Sequence, residues 1–285
     1  MKKIYLLIIA TFALTPAASA WSGAIHTGIT AIAEANLTPE AKRNISDALA
    51  DADGTRHSLA YFAYWLDDVA DSPKYAAAKE WVNVAVTDKN QIINAKKRAK
   101  SPVDAIRTAG AFDGLAASVE ALKHREKLTK EEVADHIRII VYVLADLHCP
   151  AHYVYADMPQ VRDWTYVYNK KSYNYVAFWN ETAITGTYSN WRANEYVHQL
   201  NRKSPEQVKA LTEGSLASWV ESNAAQYRWI YTIITPGQEF DSKQMRLWQN
   251  KVYPVSTDLA AVAGYRIAHV LNSLFDGAKS EVKVK

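Results

Sequence analysis

Apolar residues recur at helical intervals along most of the chain. In three long segments they lie three or four positions apart, the spacing that places side chains on one face of a helix. These series are Leu115, Val119 and Leu122; Val133, Ile137, Ile140, Val141 and Leu144; and Ala263, Ile267, Val270, Leu271 and Leu274. Alternation with a period of two, which would indicate strands, is scarce. The pattern predicts an all-α fold.

Start and stop signals for helices accompany these series. Serine or threonine before proline predicts an N-cap and a first helical turn, and Glu or Gln three residues after the cap completes a capping box. The predicted starts are Thr38-Pro39, Ser101-Pro102 and Ser204-Pro205, with capping-box spacing at Thr129/Glu132 and Ser204/Gln207. The last helix is expected to end before Gly277.

The helical pattern extends over one continuous domain. No stretch rich in proline, glycine and serine divides residues 21–285, and no internal repeat is evident. We therefore expect a single multi-helix domain over this range. The one long segment without a helical pattern, residues 156–175, is expected to form a functional or packing loop.

The first twenty residues have the features of a removable signal peptide. Lys2 and Lys3 precede an apolar run over residues 4–14, and Ala18 and Ala20 form a small-residue cleavage site. The apolar run is too short to cross a bilayer, and no later segment resembles a transmembrane helix. We expect cleavage before Trp21 and export of residues 21–285 to the periplasm or the exterior.

Charge and cysteine content narrow the possible partners. The chain has 33 basic and 30 acidic residues, so removal of Lys2 and Lys3 leaves 31 against 30, a formal charge of +1. Such a balance gives no global basic field for nucleic acid or a membrane surface. Cys149 is the only cysteine, which excludes an intramolecular disulfide. We interpret it as a small buried residue rather than a catalytic thiol.

Cleavage before Trp21 would create a metal ligand. A free N-terminal amine has a pKa of roughly 8, so part of it is unprotonated near neutral pH. The amine and carbonyl oxygen of Trp21 can chelate one ion, and His26 is close enough in sequence to join them. The alternative is that Trp21 and His26 are ordinary core or surface residues.

A second candidate ligand group lies in the segment IIVYVLADLHCPAHY, residues 139–153. Asp146 ends an apolar run that should be buried, and a buried carboxylate is costly unless it is paired, hydrogen-bonded or bound to metal. His148 and His152 lie nearby and favour metal. The alternative is that Asp146 and His148 satisfy backbone groups where the helix ends at Pro150.

A third candidate is the acidic pair that follows Trp65. Asp67 and Asp68 are adjacent in the segment YFAYWLDDVADSP, so one of them must point outward on a helix. Adjacent acidic residues usually form a solvated face. Asp67, two residues after Trp65, is the one that could turn inward.

Together these motifs resemble the zinc-dependent S1/P1 nuclease family. The order and spacing of the matching residues extend over nearly the whole of residues 21–285. The matching motifs are Trp21 with His26; Trp65-x-Asp67; Asp146-Leu147-His148-x-Pro150-x-His152; Phe178-Trp179-Asn180; and Ala263-Gly264-Tyr265-Arg266-Ile267-Ala268 with Leu271-Asn272. The resemblance implies an all-helical fold like that of zinc-dependent phospholipase C. It also implies three zinc ions and hydrolysis of single-stranded DNA or RNA to 5′-phosphates.

The resemblance assigns roles to five residues. Trp21, through its amine and carbonyl, and His26 would bind one zinc ion. Asp146 would bridge this ion to a second, which Asp67 also binds, and Asp67 would orient or deprotonate the attacking water. His152 would belong to the third zinc.

The chain departs from the family pattern at three places. Glu80 replaces the histidine of a His-aromatic-x-Asn stretch, and Tyr142 replaces the histidine one turn before the bridging aspartate. Val176 and Asn180 replace both ligands of the third-zinc motif. We therefore expect one or two zinc ions, with Glu80 as a substitute ligand and Tyr142 as a source of a phenolic oxygen. Trp81 would stack on a base.

Three functions are compatible with this set of residues. The first is a secreted, monomeric zinc phosphodiesterase or endonuclease of single-stranded nucleic acid, with a reduced metal site and impaired activity. Its hydrolysis would persist mainly for esters with good leaving groups. The second is a non-catalytic relative that binds nucleic acid or nucleotides. The third, a phospholipase C-like lipid hydrolase, is the weakest because neither a basic face nor an amphipathic membrane helix stands out.

Overall fold

The computed structural model describes residues 21–69, 71–186, 191–277 and 282–285, without the side chain of residue 181, and its architecture is all-α. The signal peptide predicted for residues 1–20 lies outside the described residues. The α-helices are α1 (Gly23–Ala35), α2 (Pro39–Leu49), α3 (Trp65–Val69), α4 (Ala95–Ala99), α5 (Asp104–Arg107), α6 (Ala111–Lys123), α7 (Lys130–Asp146), α8 (Tyr175–Ala177), α9 (Ala183–Thr185), α10 (Ala193–Leu200), α11 (Pro205–Thr212), α12 (Leu216–Tyr227) and α13 (Ser242–Phe275). Single 3₁₀ segments occupy Leu59–Phe62, Pro73–Glu80, Arg125–Lys127, Pro150–His152, Pro159–Asp163 and Arg228–Thr232, and a π-helical turn spans Phe178–Thr182.

Most of the helix ends predicted from the sequence are confirmed. Thr38 caps α2, and the boxes at Thr129 and Ser204 start α7 and α11. The predicted start at Ser101-Pro102 is wrong, because α5 begins only at Asp104. The Ser101 hydroxyl instead accepts a hydrogen bond from Val103 N at 3.2 Å, a local turn that competes with helix initiation.

The core is built around α13, which packs against α1, α2 and α7. Its second half is buried on nearly every side, as expected for a helix enclosed by others. The helix ends at Phe275, before Gly277 as predicted. Among the described helices, none combines the length and hydropathy needed for a bilayer crossing.

Glycines bring α1 close to two of its neighbours. A Cβ atom at Gly264 of α13 would lie 2.6 Å from Ile32 Cγ2, and one at Gly28 would lie 2.2 Å from the Tyr196 ring of α10. These distances are far below van der Waals contact, so only glycine permits such close packing. The contacts fix α1, which begins two residues after Trp21, against the core.

Two small sheets complete the fold. Strands β1 (Val84–Val86) and β2 (Tyr153–Tyr155) pair in parallel, with Val84 opposite Tyr153. Strand β3 (Thr165–Tyr168) lies between antiparallel β4 (Lys171–Asn174) and parallel β5 (Gln238–Phe240). The loop predicted over residues 156–175 is therefore wrong, since this segment contains a hairpin.

The hairpin turn explains why the sequence did not reveal it. Asn169 and Lys170 connect β3 to β4, and both have positive φ angles, 50° and 62°. A two-residue turn of this kind is typically signalled by Asn-Gly. Lysine in place of glycine removes that signal, and each strand is only four residues long.

Replacing Gly28 by alanine should destabilise the fold by about 2 kcal/mol, because the added methyl group must displace the buried Tyr196 ring. Gly23→Ala in the same helix is the matched control, since its Cβ would lie 3.5 Å from the nearest atom, an ordinary contact. Urea unfolding of both variants measures the difference. Equal stabilities would contradict the close packing of α1 and α10.

Candidate metal centre

Asp146 lies at the C-terminal end of α7, where its side chain is fully buried. This position is unfavourable for a carboxylate, because the negative end of the helix dipole lies there and burial removes water. Burial, and secondarily the charge of Asp67, raises the pKa of Asp146 well above its usual range. The carboxylate therefore requires a proton or a cation beside it.

Two buried imidazoles lie next to this carboxylate. His26 Nε2 is 3.1 Å and His152 Nε2 is 3.9 Å from Asp146 Oδ1. His26 comes from α1 and is held by its stack on the Tyr142 ring, with centroids 4.8 Å apart. His152 comes from the turn before β2. Helix α7, helix α1 and the turn before β2 thus bring the three residues together.

Both imidazoles are neutral at ordinary pH. Burial lowers the pKa of His26 to about 4, although the Asp67 charge acts in the opposite direction. Burial and then the charge of Arg162 lower the pKa of His152 to about 3, partly offset by the Val82 carbonyl. A neutral imidazole has a nitrogen lone pair available, which is the state that binds metal.

The three side chains have polar atoms that the described protein does not satisfy. Six buried atoms, namely both ring nitrogens of His26 and His152 and both carboxylate oxygens of Asp146, make no hydrogen bond of normal geometry within the described residues. His26 Nε2 and Asp146 Oδ1 are 3.1 Å apart, but their angles are not those of a hydrogen bond. Each unsatisfied buried group costs about 1–3 kcal/mol. These unsatisfied atoms are concentrated at one place, around Asp146.

Trp21 is anchored directly beside Asp146. Its indole is buried, and Nε1 donates a hydrogen bond to the Ala145 carbonyl at 3.1 Å. The next residue, Ser22, donates its backbone N–H to the Asn180 carbonyl at 2.8 Å. The main chain of Trp21 is thereby tied to the end of α7 and to the π-helical turn.

Asp67 is joined to the centre through Tyr142. The Tyr142 hydroxyl donates a hydrogen bond of 2.6 Å to Asp67 Oδ1. Burial first, and then the charges of Asp146 and Asp67, raise the pKa of Tyr142 far above its usual range, so the phenol stays protonated. Asp67 itself is exposed on α3. The sequence pattern favours Asp67 as the residue that turns inward. Its side chain is instead exposed, and it contacts the interior through the hydrogen bond from Tyr142.

The two predicted auxiliary residues lie further out. Glu80 is exposed, and its backbone carbonyl accepts the Gly110 N–H ahead of α6. Trp81 is half-buried, and its ring packs so closely on α6 that a Cβ at Gly114 would lie 2.8 Å from it. Metal binding by Glu80 and base stacking by Trp81 stay predictions.

The residues that replace the third-zinc ligands are absorbed into the core. Val176 and Asn180 are buried, and Asn180 Oδ1 accepts the Cys149 thiol at 3.3 Å. Burial raises the pKa of Cys149, so this thiol is protonated and serves as a small packed residue, as predicted. Neither position supplies an ionisable ligand beside His152.

The sequence did not reveal a buried network that holds the end of α7. Arg266 Nη1 donates to His148 Nε2 at 3.0 Å, and His148 Nδ1 lies 2.7 Å from the Leu144 carbonyl. Asn223 receives a second bond from Arg266 and donates one to the Leu147 carbonyl at 3.0 Å. The alternative role in capping backbone groups is thus confirmed for His148. Only the Arg266 motif of α13 offered a sequence signal.

Arg266→Met should lower the free energy of unfolding by about 2 kcal/mol, because His148, Asn223 and the Leu211 carbonyl lose a buried donor. The exposed Arg202 provides the matched control as Arg202→Met. Chemical denaturation of both variants gives the comparison. A loss below about 0.5 kcal/mol for Arg266→Met would show that the network does not stabilise the end of α7.

Among the described side chains, no group of three or more His, Cys, Asp and Glu residues that could hold a metal ion is found. His26, Asp146 and His152 therefore do not by themselves form a complete metal site in this structure. A comparison with curated proteins gives no match. The sequence model of the S1/P1 Nuclease family matches residues 21–276 of the 285-residue chain, a range that includes every residue of the candidate centre. Such a match supports a nuclease-like hydrolase with nucleic acid as substrate. The chain belongs to the S1/P1 nuclease family.

Proposed function

We propose that this protein is a zinc-dependent phosphodiesterase of single-stranded nucleic acid with a reduced metal site. Its zinc ion would be held by Trp21, His26, Asp146 and His152. One observation carries the proposal, namely the buried and unsatisfied polar atoms of the two histidines around Asp146. The donor set of imidazole nitrogens and a carboxylate oxygen is one that zinc prefers.

The fourth ligand follows from cleavage of the chain before Trp21. The amine of Trp21 then joins the three side-chain donors, which gives four protein ligands, within the three or four that zinc ordinarily takes. The anchoring of Trp21 at Ala145, directly before Asp146, supports this role. The proposal includes signal-peptide removal and export, which make the amine available.

The bond between Tyr142 and Asp67 favours one ion over two. A second zinc between Asp67 and Asp146 would compete with the Tyr142 hydroxyl for the Asp67 carboxylate. The raised pKa of Tyr142 opposes its conversion to a phenolate ligand. In this arrangement, the exposed Asp67 can accept a hydrogen bond or a proton from the attacking water, while Tyr142 fixes the carboxylate orientation.

Bound zinc would supply a nucleophile near neutral pH by lowering the pKa of a coordinated water. The proposed site lacks a second cation to stabilise the leaving oxygen, because Val176 and Asn180 provide no ligand for one. Loss of one electrostatic stabiliser of a transition state typically costs about a hundred- to a thousandfold in rate. We therefore propose that diesters with good leaving groups are hydrolysed in preference to nucleic acid.

The same replacements favour a second candidate, a non-catalytic binding protein. Val176, Asn180 and Tyr142 occupy positions where the family resemblance implies ligands. Such a protein would retain the fold and bind nucleic acid or nucleotides without turnover.

Zinc content and hydrolysis, measured together, distinguish the two candidates. For the chain that begins at Trp21, we expect about one zinc per chain and turnover of a bis-nitrophenyl phosphodiester. Single-stranded DNA should be cleaved about a hundredfold or more slowly. Equal rates on both substrates would contradict the leaving-group argument. No zinc and no turnover would favour the binding protein.

Asp146→Asn should abolish zinc binding, because it removes the negatively charged ligand that zinc would need beside two neutral imidazoles. Asp68→Asn is the matched control, since Asp68 is exposed on α3 beside Asp67. Elemental analysis after gel filtration measures zinc per chain in each variant. Retention of zinc by Asp146→Asn would place the ion elsewhere.

Tyr142→His should raise the zinc content from about one to about two ions per chain, because the imidazole adds a ligand and releases Asp67. Tyr142→Phe releases Asp67 without adding a ligand and should retain one ion. The same elemental analysis, with excess zinc removed, compares the variants. A single ion in Tyr142→His would show that Tyr142 does not determine the metal count.

A further inference from the structure

A cavity of about 460 Å³ lies at the N-terminal end of α1. Its lining comes from the first turns of α1, from Tyr64 ahead of α3, and from Trp191 and Arg192 ahead of α10. The volume falls in the range of pockets that bind small organic ligands. Tyr64, Trp191 and Arg192 are not among the ligands of the candidate metal centre.

Two wall residues of the cavity are close in the chain to residues of the candidate metal centre. Of the proposed centre residues, His26, Asp146 and His152 are buried, whereas Asp67 is exposed. Tyr64 is one turn before Asp67, and its carbonyl accepts the Asp67 backbone N–H at 3.1 Å. On the other side, Gly23 begins α1 two residues after Trp21. Tyr64 thus places one wall of the cavity about one helical turn from Asp67.

Two aromatic side chains give the cavity an affinity for flat apolar groups. Tyr64 is 44% exposed and lines the cavity. Trp191 is half-buried and held edge-on against the buried Tyr196, with ring centroids 5.3 Å apart. Aromatic faces stack on nucleobases with little dependence on base identity.

Arg192 adds a positive group at the same cavity. The residue is exposed, and its backbone N–H donates to Glu195 Oε2 at 2.8 Å, which fixes its position at the start of α10. A guanidinium group recognises phosphate through paired hydrogen bonds. The cavity thus offers partners for both the base and the phosphate of one nucleotide.

We infer that this cavity is a subsite for a nucleotide of the substrate strand, with the base against Tyr64 and Trp191 and a phosphate at Arg192. The inference rests on the proposed function for the bond that is cut. The binding itself does not require metal, because none of the three side chains belongs to the candidate centre. Binding and hydrolysis can therefore be tested separately.

Isothermal titration of a 5′-phosphorylated thymidine dinucleotide, in the presence of EDTA, tests the subsite. The processed chain should bind the dinucleotide, and Tyr64→Ala and Arg192→Gln should each weaken it about tenfold. Tyr64→Phe should retain the wild-type affinity, because it keeps the aromatic face. Tyr61→Ala and Arg202→Gln are matched controls, since Tyr61 is 64% exposed and stacks on His57 outside the cavity, and Arg202 is an exposed arginine.

The opposite results would overturn the inference. These are no binding by the wild-type chain, unchanged affinity in both Tyr64→Ala and Arg192→Gln, or equally tight binding of an abasic dinucleotide. Thermal unfolding checks that each variant is folded, and Tyr64→Leu replaces Tyr64→Ala if that variant is not. Dinucleotide binding without hydrolysis of any diester would refute the proposed reaction but support the subsite. Hydrolysis of a diester, together with unchanged dinucleotide affinity in the Tyr64 and Arg192 variants, would support the proposed reaction but refute the subsite.

Discussion

The Asp146 carboxylate, buried between His26 and His152 at the end of α7, is the constraint on which the structure depends. An unpaired carboxylate buried in this place would be costly, and the two neutral imidazoles supply no positive charge to offset it. The divalent cation that we propose would resolve both problems, because it would neutralise the carboxylate and bind the nitrogen lone pairs. The proposed cleavage before Trp21 has the same purpose, since it adds an amine donor beside Ala145.

The scaffold is organised to keep this cluster in place. Arg266, His148 and Asn223 form a buried network that satisfies carbonyl groups where α7 ends. Close helix contacts at Gly28 and Gly264 hold α1, and with it His26, against the core. A site of this kind needs its ligands fixed by packing and by outer hydrogen bonds, because small displacements weaken coordination.

Local patterns predicted the fold class, and long-range contacts explain what they missed. Helical spacing and caps such as Thr129/Glu132 depend on neighbouring residues, so the sequence displays them. The hairpin at Asn169 and Lys170 lacks the usual glycine, and its strands are stabilised by pairing with distant β5. Motif order singled out His26, Asp67 and Asp146. Their separations, and the bond from Tyr142 to Asp67, depend on packing between helices and could not be read from spacing.

The chain belongs to the S1/P1 nuclease family, and the proposed function places one zinc ion at the cluster of His26, Asp146 and His152. Anomalous diffraction at the zinc absorption edge, from crystals of the chain beginning at Trp21, tests this most directly. The account predicts one strong peak in contact with His26, Asp146 and His152. A peak at another position, no peak, or a second peak between Asp67 and Asp146 would contradict it.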